Sequence, residues 1–497
     1  MTENKNTQTA GTAAGKGGAG DFMEKEPIGA LMRKFTIPCI ISLLVAALYN
    51  IVDQIFIANA DYLGSYGNSA NTVVFPLTVV ALSIAMMIGD GCCTFVSISL
   101  GAKRKDNAHR GIGTSVIAVL AAGLMIMAVY LIFMNPIINA FGGGVNERTF
   151  ELSKEYLFWI ALGIPGYMFG QAMNPIIRSD GSPKFAMISL LAGAIFNIIF
   201  DPILIYGAHW GMMGAAVATI GGQYISAVLA LIYMRKMKLV TLSRDSFRFR
   251  RSLLKKILPM GLTSFLSQIS VVLSMAAVQN MVAKYGALDP VFGQAEYSQI
   301  PMAVVGIVMK LFQIIISISV GLAAGCIPVS GYNIGAGRFD RVKELMKKLL
   351  IAEFTVGLVA SAVFLLFPQQ FVNLFGAANE SSYYNDFAIR CIRLFLCLLM
   401  LSCVNKGAFI FLQSLGKVKE STGLSMFREI VLGVGLPIIL PIAWGLNGIL
   451  YFMPLADVLT FAATVFVILQ INRELNAGMR KERRGAWHQA APERKVP

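Results

Sequence analysis

Long apolar stretches recur from near residue 36 to near residue 472, and this recurrence limits the chain to one broad class of fold. A helix needs about 20 mostly apolar residues to cross a bilayer. Twelve stretches meet this requirement, beginning near Thr36, Thr72, Gly111, Ser153, Phe185, Gly211, Lys256, Phe292, Val342, Tyr384, Ser421 and Leu446. Because 56% of the 497 residues are hydrophobic and only 14% are charged, we predict an all-α integral membrane protein embedded in the lipid bilayer.

The net charge of +15 comes mainly from loops on one side of the predicted spans. Basic residues follow spans 2, 4, 6, 8 and 10 and recur in the tail, whereas the opposite loops hold almost none, Arg148 and Lys284 being the exceptions. The positive-inside rule then places these basic loops and both termini in the cytoplasm. This distribution explains the charge without nucleic acid as a partner.

An offset of 234 residues relates the two halves of the chain. The segment SLGAKRKDNA around Gly101 resembles NIGAGRFDRV around Gly335, and Gly211 is matched by Gly445. Six spans separate equivalent positions, so the halves share one orientation and are related by an axis along the membrane normal. We therefore predict two pseudo-symmetric six-helix lobes around a central cavity. The predicted domains are a disordered cytoplasmic leader (1–25), an N-lobe (26–235), a basic cytoplasmic linker (236–255), a C-lobe (256–472) and a cytoplasmic tail (473–497).

Carboxylates inside the predicted spans are candidates for function, because each costs about 2.5–3.5 kcal/mol at the centre of a membrane helix. Asp53 lies about halfway along span 1, and Asp201 lies in span 5. Asn197 is four residues before Asp201, so both side chains project from one helix face. Pro202 has no N–H and leaves the carbonyl of Ile198 without its helical donor. A carboxylate, an amide and a free carbonyl would together form a polar pocket.

Two other residues of the N-lobe stand out. Pro38 in span 1 removes a helical hydrogen bond, which makes it a hinge candidate. Asp90 in span 2 lies between Gly89 and Gly91, which permit close packing, and its role is left open between structure and function.

The chain resembles the multidrug and toxic compound extrusion (MATE) family, most closely its MepA-like bacterial branch. The resemblance rests on the six-plus-six spans and on four segments, YNIVDQIFIA, VFPLTVVALSIAMMIGDG, NPIIRSDGSPK and NIIFDPILIYG. It implies an antiporter, driven by H⁺ or Na⁺, that exports small cationic amphipathic drugs and toxic compounds by alternating access. It also implies a location in the plasma membrane of a bacterium.

The resemblance assigns roles to individual residues. It implies a cation-coupling set of Asp53, Asn197, Asp201 and Thr219, with a supporting network of Tyr49, Tyr156 and Asn174. Clustered oxygen ligands suit Na⁺, so the same four residues are the candidate Na⁺ site. Two carboxylates close together in a low dielectric would also favour uptake of a proton by one of them. Either ion could therefore drive transport.

The C-lobe departs from the family pattern, because span 7 contains no Asp or Glu. Gln268 in span 7 and Asp457 in span 12 are the candidate C-lobe contacts. Further charges lie inside spans 10 and 11, and we favour pairing among them over contact with substrate. They are Arg390, Arg393, Lys406, Arg428 and Glu429.

Enzyme motifs are missing from the sequence, which holds no Walker A sequence, zinc-ligand cluster or G-x-S-x-G. We therefore expect a secondary active transporter, without a cofactor and monomeric. One alternative is a flippase for lipid-linked or large anionic substrates, which would need Arg390, Arg393 and Lys406 to face the cavity. Another is an intramembrane prenyltransferase, but the D-x-x-x-D pairs that it needs are absent.

Overall fold

The computed structural model describes residues 22–60, 62–294, 297–374 and 381–490, and these residues form helices without a β-strand. The α-helices are α1 (Phe22–Lys25), α2 (Ile28–Ala58), α3 (Gly64–Gly101), α4 (Lys105–Ile132), α5 (Met134–Ala140), α6 (Glu147–Ser179), α7 (Pro183–Pro202), α8 (Gly211–Met234), α9 (Arg251–Gly286), α10 (Ile300–Gly335), α11 (Phe339–Leu366), α12 (Pro368–Leu374), α13 (Ser382–Leu396), α14 (Leu399–Ser414), α15 (Val418–Met426) and α16 (Gly433–Ala490). The structure confirms the all-α prediction.

Within the described residues, these helices make up twelve spans. Nine are long and apolar enough to cross a membrane, and α13 and α14, bent by 40°, together form a tenth. Helix α6 is long enough for another at 33 residues, although it is more polar. The last of the nine runs from α15 through α16 and divides at Gly445, whose backbone is not helical, into two spans. Leucine, isoleucine and phenylalanine side chains are exposed along many of these helices, as expected for a surface that faces lipid.

The backbone repeats the two-fold pattern of the sequence. Three pairs of residues, separated by 234 or 235 positions, share a positive φ between 56° and 78° at corresponding loops. The pairs are Lys103 and Gly337, Gly181 and Gly416, and Gly211 and Gly445. The same turn therefore joins equivalent spans in both lobes. The two-lobe architecture predicted from the repeat is confirmed.

Helices α2 and α3 of the N-lobe pack against α9 and α10 of the C-lobe. One close crossing joins the ends of α3 and α10. A methyl group at Gly101 would lie 1.9 Å from the carbonyl oxygen of Tyr332, and one at Gly335 would lie 2.2 Å from that of Ile98. Glycine is needed at both positions because no side chain fits between the two backbones.

The crossing of α3 and α10 lies toward one side of the protein, which we call the basic face. This face is formed by the loops at 102–104, 180–182, 235–250, 336–338 and 415–417. There α1 packs on the C-lobe, because Arg341 donates to the carbonyls of Met23 (3.2 Å) and Glu26 (2.6 Å). Residues 1–21 of the predicted leader (1–25) lie outside the described residues. Its last four residues are described, and they form α1. Helix α16 continues to Ala490. The other domain boundaries stay predictions.

Candidate cation site and central cavity

The carboxyl groups of Asp53 and Asp201 meet inside the N-lobe. Asp53 lies on α2 and Asp201 on the last turn of α7, and the two carboxyls are within hydrogen-bonding reach of each other. Both are shielded from water, with 7% and 0% of the residue exposed. Two carboxylates this close repel each other in a low dielectric unless a proton or cation lies between them.

An amide and a hydroxyl group complete the polar cluster around Asp201. The side-chain amide of Asn197 donates to Asp201 Oδ1 at 3.2 Å and lies 3.3 Å from the hydroxyl oxygen of Thr219 on α8. Immediately after Pro202, the chain forms a π-helical turn at Ile203–Gly207. The missing N–H of Pro202 explains this local change, and π-turns occur often at functional sites.

Three buried oxygen atoms of this cluster have no hydrogen-bond partner among the described residues. They are Asp53 Oδ1, Asp201 Oδ2 and Asn197 Oδ1. A cavity of about 40 Å³ adjoins the cluster and is lined by Tyr49, Asn197 and Thr219. A water or a small ion needs only about 10–15 Å³ of such space. The donor set and the adjoining space therefore fit Na⁺, and the carboxyl pair alone can hold a proton.

The three residues of the predicted supporting network lie in different places. Tyr49 and Tyr156 are close enough to both carboxyls to interact with them electrostatically. Asn174 instead donates to the carbonyl of Ala186 at 2.8 Å, which joins α6 to α7, and its side chain lines the central cavity. The structure thus brings the two tyrosines to the carboxyl pair and shows no bond from Asn174 to it.

The central cavity lies between the lobes and has a volume of about 290 Å³. Its walls come from both lobes, including α2, α3 and α6 on one side and α9, α10, α14 and α16 on the other. Gln268, predicted as a C-lobe contact, lines this cavity, whereas Asp457 lies behind the wall. Three residues of α2, Ser42, Ala46 and Tyr49, line both this cavity and the smaller one beside the carboxyl pair. Helix α2 therefore connects the two.

The charges on the C-lobe wall are paired. Lys406 forms a buried ion pair with Glu429, and Arg428 forms one with Asp457 at 3.0 Å. Asp457 also accepts a hydrogen bond from Ser402. Pairing was expected for these side chains, because an uncompensated charge inside a membrane is costly. Among the described residues, Arg390 and Arg393 form no ion pair, and neither lines the central cavity.

A polar bridge between the lobes was missed by the sequence analysis. Arg178 of α6 lies 3.6 Å from the carboxylate of Asp90, and Ser264 of α9 donates to that carboxylate at 2.8 Å. The amide of Gln413 donates to Ser264 at 3.0 Å. Each of the two charges was visible in the sequence, but their approach depends on how α3, α6 and α9 pack.

A further buried carboxyl lies in the C-lobe, apart from the two ion pairs. Glu353 of α11 is fully buried and accepts a hydrogen bond from Ser319 at 2.6 Å. Its other oxygen has no partner among the described residues.

Pro38 lies within α2 ten residues after its start, and the helix continues past it. The hydroxyl of Ser42 donates to the carbonyl of Pro38 at 2.8 Å. The proline removes the bond that its own N–H would make to Lys34, so α2 is weakest just before the part that lines the cavities. Its role as a hinge stays a prediction.

Comparison with known proteins agrees with this architecture. The MatE family model matches residues 38–203 and 263–439, one segment in each lobe. The multidrug export protein MepA of Staphylococcus aureus (strain MSSA476) is 24% identical over 458 residues, covering 91% of this chain and 96% of that protein. The MepA of Staphylococcus haemolyticus is also 24% identical over 458 residues.

Solved structures show the same fold. A crystal structure of MATE in complex with MaL6 has a TM-score of 0.82 at 23% identity, and the match covers 93% of this chain and 99% of that one. A multidrug resistance MATE family transporter in the outward-facing conformation has a TM-score of 0.81 at 24% identity, covering 92% and 98%. The chain therefore belongs to the MatE family, as its resemblance to the multidrug and toxic compound extrusion transporters predicted.

Proposed function

We propose that the protein is a cation-coupled antiporter that exports cationic amphipathic compounds, with Asp53 and Asp201 as its coupling site. The observation that carries this proposal is the set of three buried oxygens without partners, two of which belong to adjacent carboxyls. Buried polar atoms in proteins are normally satisfied. Binding of H⁺ or Na⁺ would satisfy these atoms and change the charge of the pocket by one unit.

Helix α2 supports a link between ion binding and substrate binding. It carries Asp53, and its residues Ser42, Ala46 and Tyr49 line both cavities. A shift of α2 on ion binding would therefore change the shape of the central cavity. Pro38 lies where such a shift can be absorbed.

Alternating access requires the lobes to separate on one side at a time. Here they are packed together toward the basic face through the crossings of α2 and α3 with α9 and α10. We place the basic face in the cytoplasm, by the positive-inside rule. With this orientation we infer a state closed to the cytoplasm, in which both termini lie on the cytoplasmic side of a bacterial plasma membrane.

The proposed substrate class rests on the relatives and on the central cavity. The relatives cited above are named as multidrug export proteins. The central cavity, at about 290 Å³, is close to the lower end of ordinary ligand pockets. Its wall is largely apolar, and its carboxylates, Asp90 and Glu429, are already paired with Arg178 and Lys406. The cavity therefore suits an amphipathic compound, while the preference for a cation rests on the family resemblance.

The test is efflux of a cationic dye from proteoliposomes while the sodium and proton gradients are dissipated separately. The ion whose gradient is needed for efflux, so that efflux stops when that gradient alone is dissipated, is the coupling ion. The variants Asp53→Asn and Asp201→Asn should lose gradient-driven efflux, whereas Asp106→Asn, on the exposed start of α4, should retain it. Full gradient-dependent efflux by both site variants would contradict the proposed mechanism.

A flippase for lipid-linked or large anionic substrates is the alternative. Arg178, Lys406 and Arg428 do line the central cavity. Each of them, however, lies beside a carboxylate, so little positive charge is left for an anionic substrate. Selective transport of a lipid-linked saccharide, without dye efflux, would favour the flippase.

A further inference from the structure

A groove on the C-lobe, separate from both cavities, carries two arginines that the proposed transport cycle does not use. It lies between α13 and the stretch of α16 from Trp444 to Val458, and its volume is about 1300 Å³. We call it the arginine groove. Its polar and aromatic lining consists of Asp386, Arg390, Arg393, Trp444, Asn447 and Tyr451.

The arginine groove faces away from the central cavity. On α16, Phe452 and Met453 line the central cavity, whereas Tyr451, Leu455 and Val458 line the groove. These three side chains are exposed, at 46%, 36% and 45%. Exposed apolar side chains on the outer side of a membrane helix contact lipid. The groove therefore opens toward the bilayer.

The position of the groove along the membrane normal follows from its helices. Helix α13 begins at Ser382, on the side opposite the basic face, and Arg390 lies eight residues further on. At 1.5 Å per residue, this places Arg390 about 12 Å from the helix start. Trp444 lies at the bend at Gly445, and tryptophan is enriched at the membrane–water interface. The arginines thus lie within the leaflet opposite the basic face, below its headgroups and within reach of them.

The charge of the groove is not balanced by the residues that the structure describes. Arg390 and Arg393 are three residues apart, so they share a helix face. Both are exposed, and within the described part of the chain neither forms a hydrogen bond or an ion pair. Asp386 lines the same groove but forms no ion pair with either arginine. Two cations therefore face one anion, above an apolar floor of Leu455 and Val458.

The contrast with the rest of the C-lobe is informative. Lys406 and Arg428 are buried, and each has a carboxylate partner from the protein. Charges within a membrane are rarely left unpaired, because the hydrocarbon does not solvate them. Among the described residues no carboxylate pairs with Arg390 or Arg393, so both guanidinium groups are open to a partner from the membrane. Guanidinium groups suit phosphate, which they bind through paired hydrogen bonds.

We propose that the arginine groove binds one anionic phospholipid from the leaflet opposite the basic face. Its phosphate bridges Arg390 and Arg393, and one acyl chain lies over Leu455 and Val458. The groove is large enough for a headgroup and part of a chain. This site does not depend on the proposed coupling at Asp53 and Asp201.

Trp444 makes the site directly measurable. The chain has four tryptophans, so replacing Trp159, Trp210 and Trp487 by Phe leaves Trp444 as the only one. This single-Trp protein is reconstituted in phosphatidylcholine vesicles that contain increasing fractions of dibrominated phosphatidylglycerol or, separately, dibrominated phosphatidylcholine. Bromine quenches the fluorescence of a neighbouring indole. We expect phosphatidylglycerol to bind roughly thirtyfold more tightly than phosphatidylcholine, from the attraction of two arginines near an anionic headgroup.

Matched variants identify the source of the preference. Arg390→Gln with Arg393→Gln should abolish it, whereas replacing both arginines by Lys should retain most of it. Arg148→Gln, an exposed arginine at the start of α6 on the same side of the membrane, should leave it unchanged. Should the double Gln variant not fold, the single variants decide the question, because each should weaken the preference roughly fivefold.

Three results would overturn the proposal. The first is equal quenching by the two brominated lipids. The second is an undiminished preference for phosphatidylglycerol in the folded Gln variants. The third is relief of the quenching by inorganic phosphate, which would make the ligand a soluble anion and not a lipid.

Discussion

A single methyl group added at Gly261 should open the lobes on the basic face. Gly261 lies on α9 of the C-lobe, where it crosses α3 of the N-lobe. A Cβ atom there would lie 1.7 Å from the carbonyl oxygen of Met87. Real Cβ contacts are not closer than 3.0 Å, so α3 and α9 would have to separate by about 1.3 Å at this point. Because the Cβ position is fixed by the backbone of α9 and its neighbour is a backbone carbonyl, no side-chain rotation can relieve the clash.

The energetic effect follows from the packing of this crossing. Overpacking a close-packed interior typically costs about 1–3 kcal/mol. In Gly261→Ala this cost falls on the state closed at the basic face, since the clash disappears once α3 and α9 part. An energy of this size changes a population ratio about 5- to 150-fold. The fraction open on the basic face should rise by that factor for as long as it remains the minor state.

Cys39 can report this opening. It lines the central cavity from α2 and is 3% exposed in the closed arrangement. With the other six cysteines replaced by Ala, the rate at which a membrane-impermeant maleimide labels Cys39 from the basic face measures the open fraction. We expect faster labelling in Gly261→Ala than in the same background without it.

Gly306→Ala is the matched control. Gly306 also lies within a membrane helix, α10, but a methyl group there has no neighbour within 4 Å. Both substitutions stabilise the helix that carries them by about 1 kcal/mol, because Ala is a better helix former than Gly, so this contribution cancels in the comparison. Equal labelling rates in the two variants would refute the claim that the crossing of α3 and α9 holds the basic face closed.

Other contacts allow further predictions. Asp180→Ala should lower the free energy of unfolding by about 3 kcal/mol. The carboxylate accepts hydrogen bonds from the hydroxyl of Tyr233 and from three backbone N–H groups of the linker, and all of these are lost. An unchanged Tm would contradict this prediction. Lys406→Met alone should cost about 1–3 kcal/mol, because Glu429 Oε1 loses its partner while Oε2 keeps Arg428 at 3.6 Å. Lys406→Met with Glu429→Gln should recover most of this loss in thermal unfolding, and additive losses would argue against a coupled pair. Arg341→Gln should speed amide hydrogen exchange in residues 22–26 about tenfold, because the bonds from the Arg341 guanidinium to this segment are lost. Unchanged exchange would show that other contacts hold α1.

Much of the architecture could be predicted from the sequence because it depends on local properties. The length of an apolar stretch determines whether a helix can span the bilayer, and the side on which Lys and Arg accumulate indicates orientation. The offset of 234 residues predicted two equivalent lobes, and matching backbone turns such as those at Gly211 and Gly445 bear this out. Asp53 and Asp201 stood out because carboxylates are rare in apolar helices. Their role in coupling stays a prediction.

The partners of the intramembrane charges were decided by the tertiary structure. In the sequence, Arg390, Arg393 and Lys406 are similar basic residues of one span, yet Lys406 is buried against Glu429 while the two arginines are exposed in an open groove. Likewise, nothing in the sequence brings Asp90 together with Arg178 and Ser264. The reason is that helical periodicity shows which residues share a face of one helix, but not which other helix, cavity or lipid that face meets. That depends on how the helices pack.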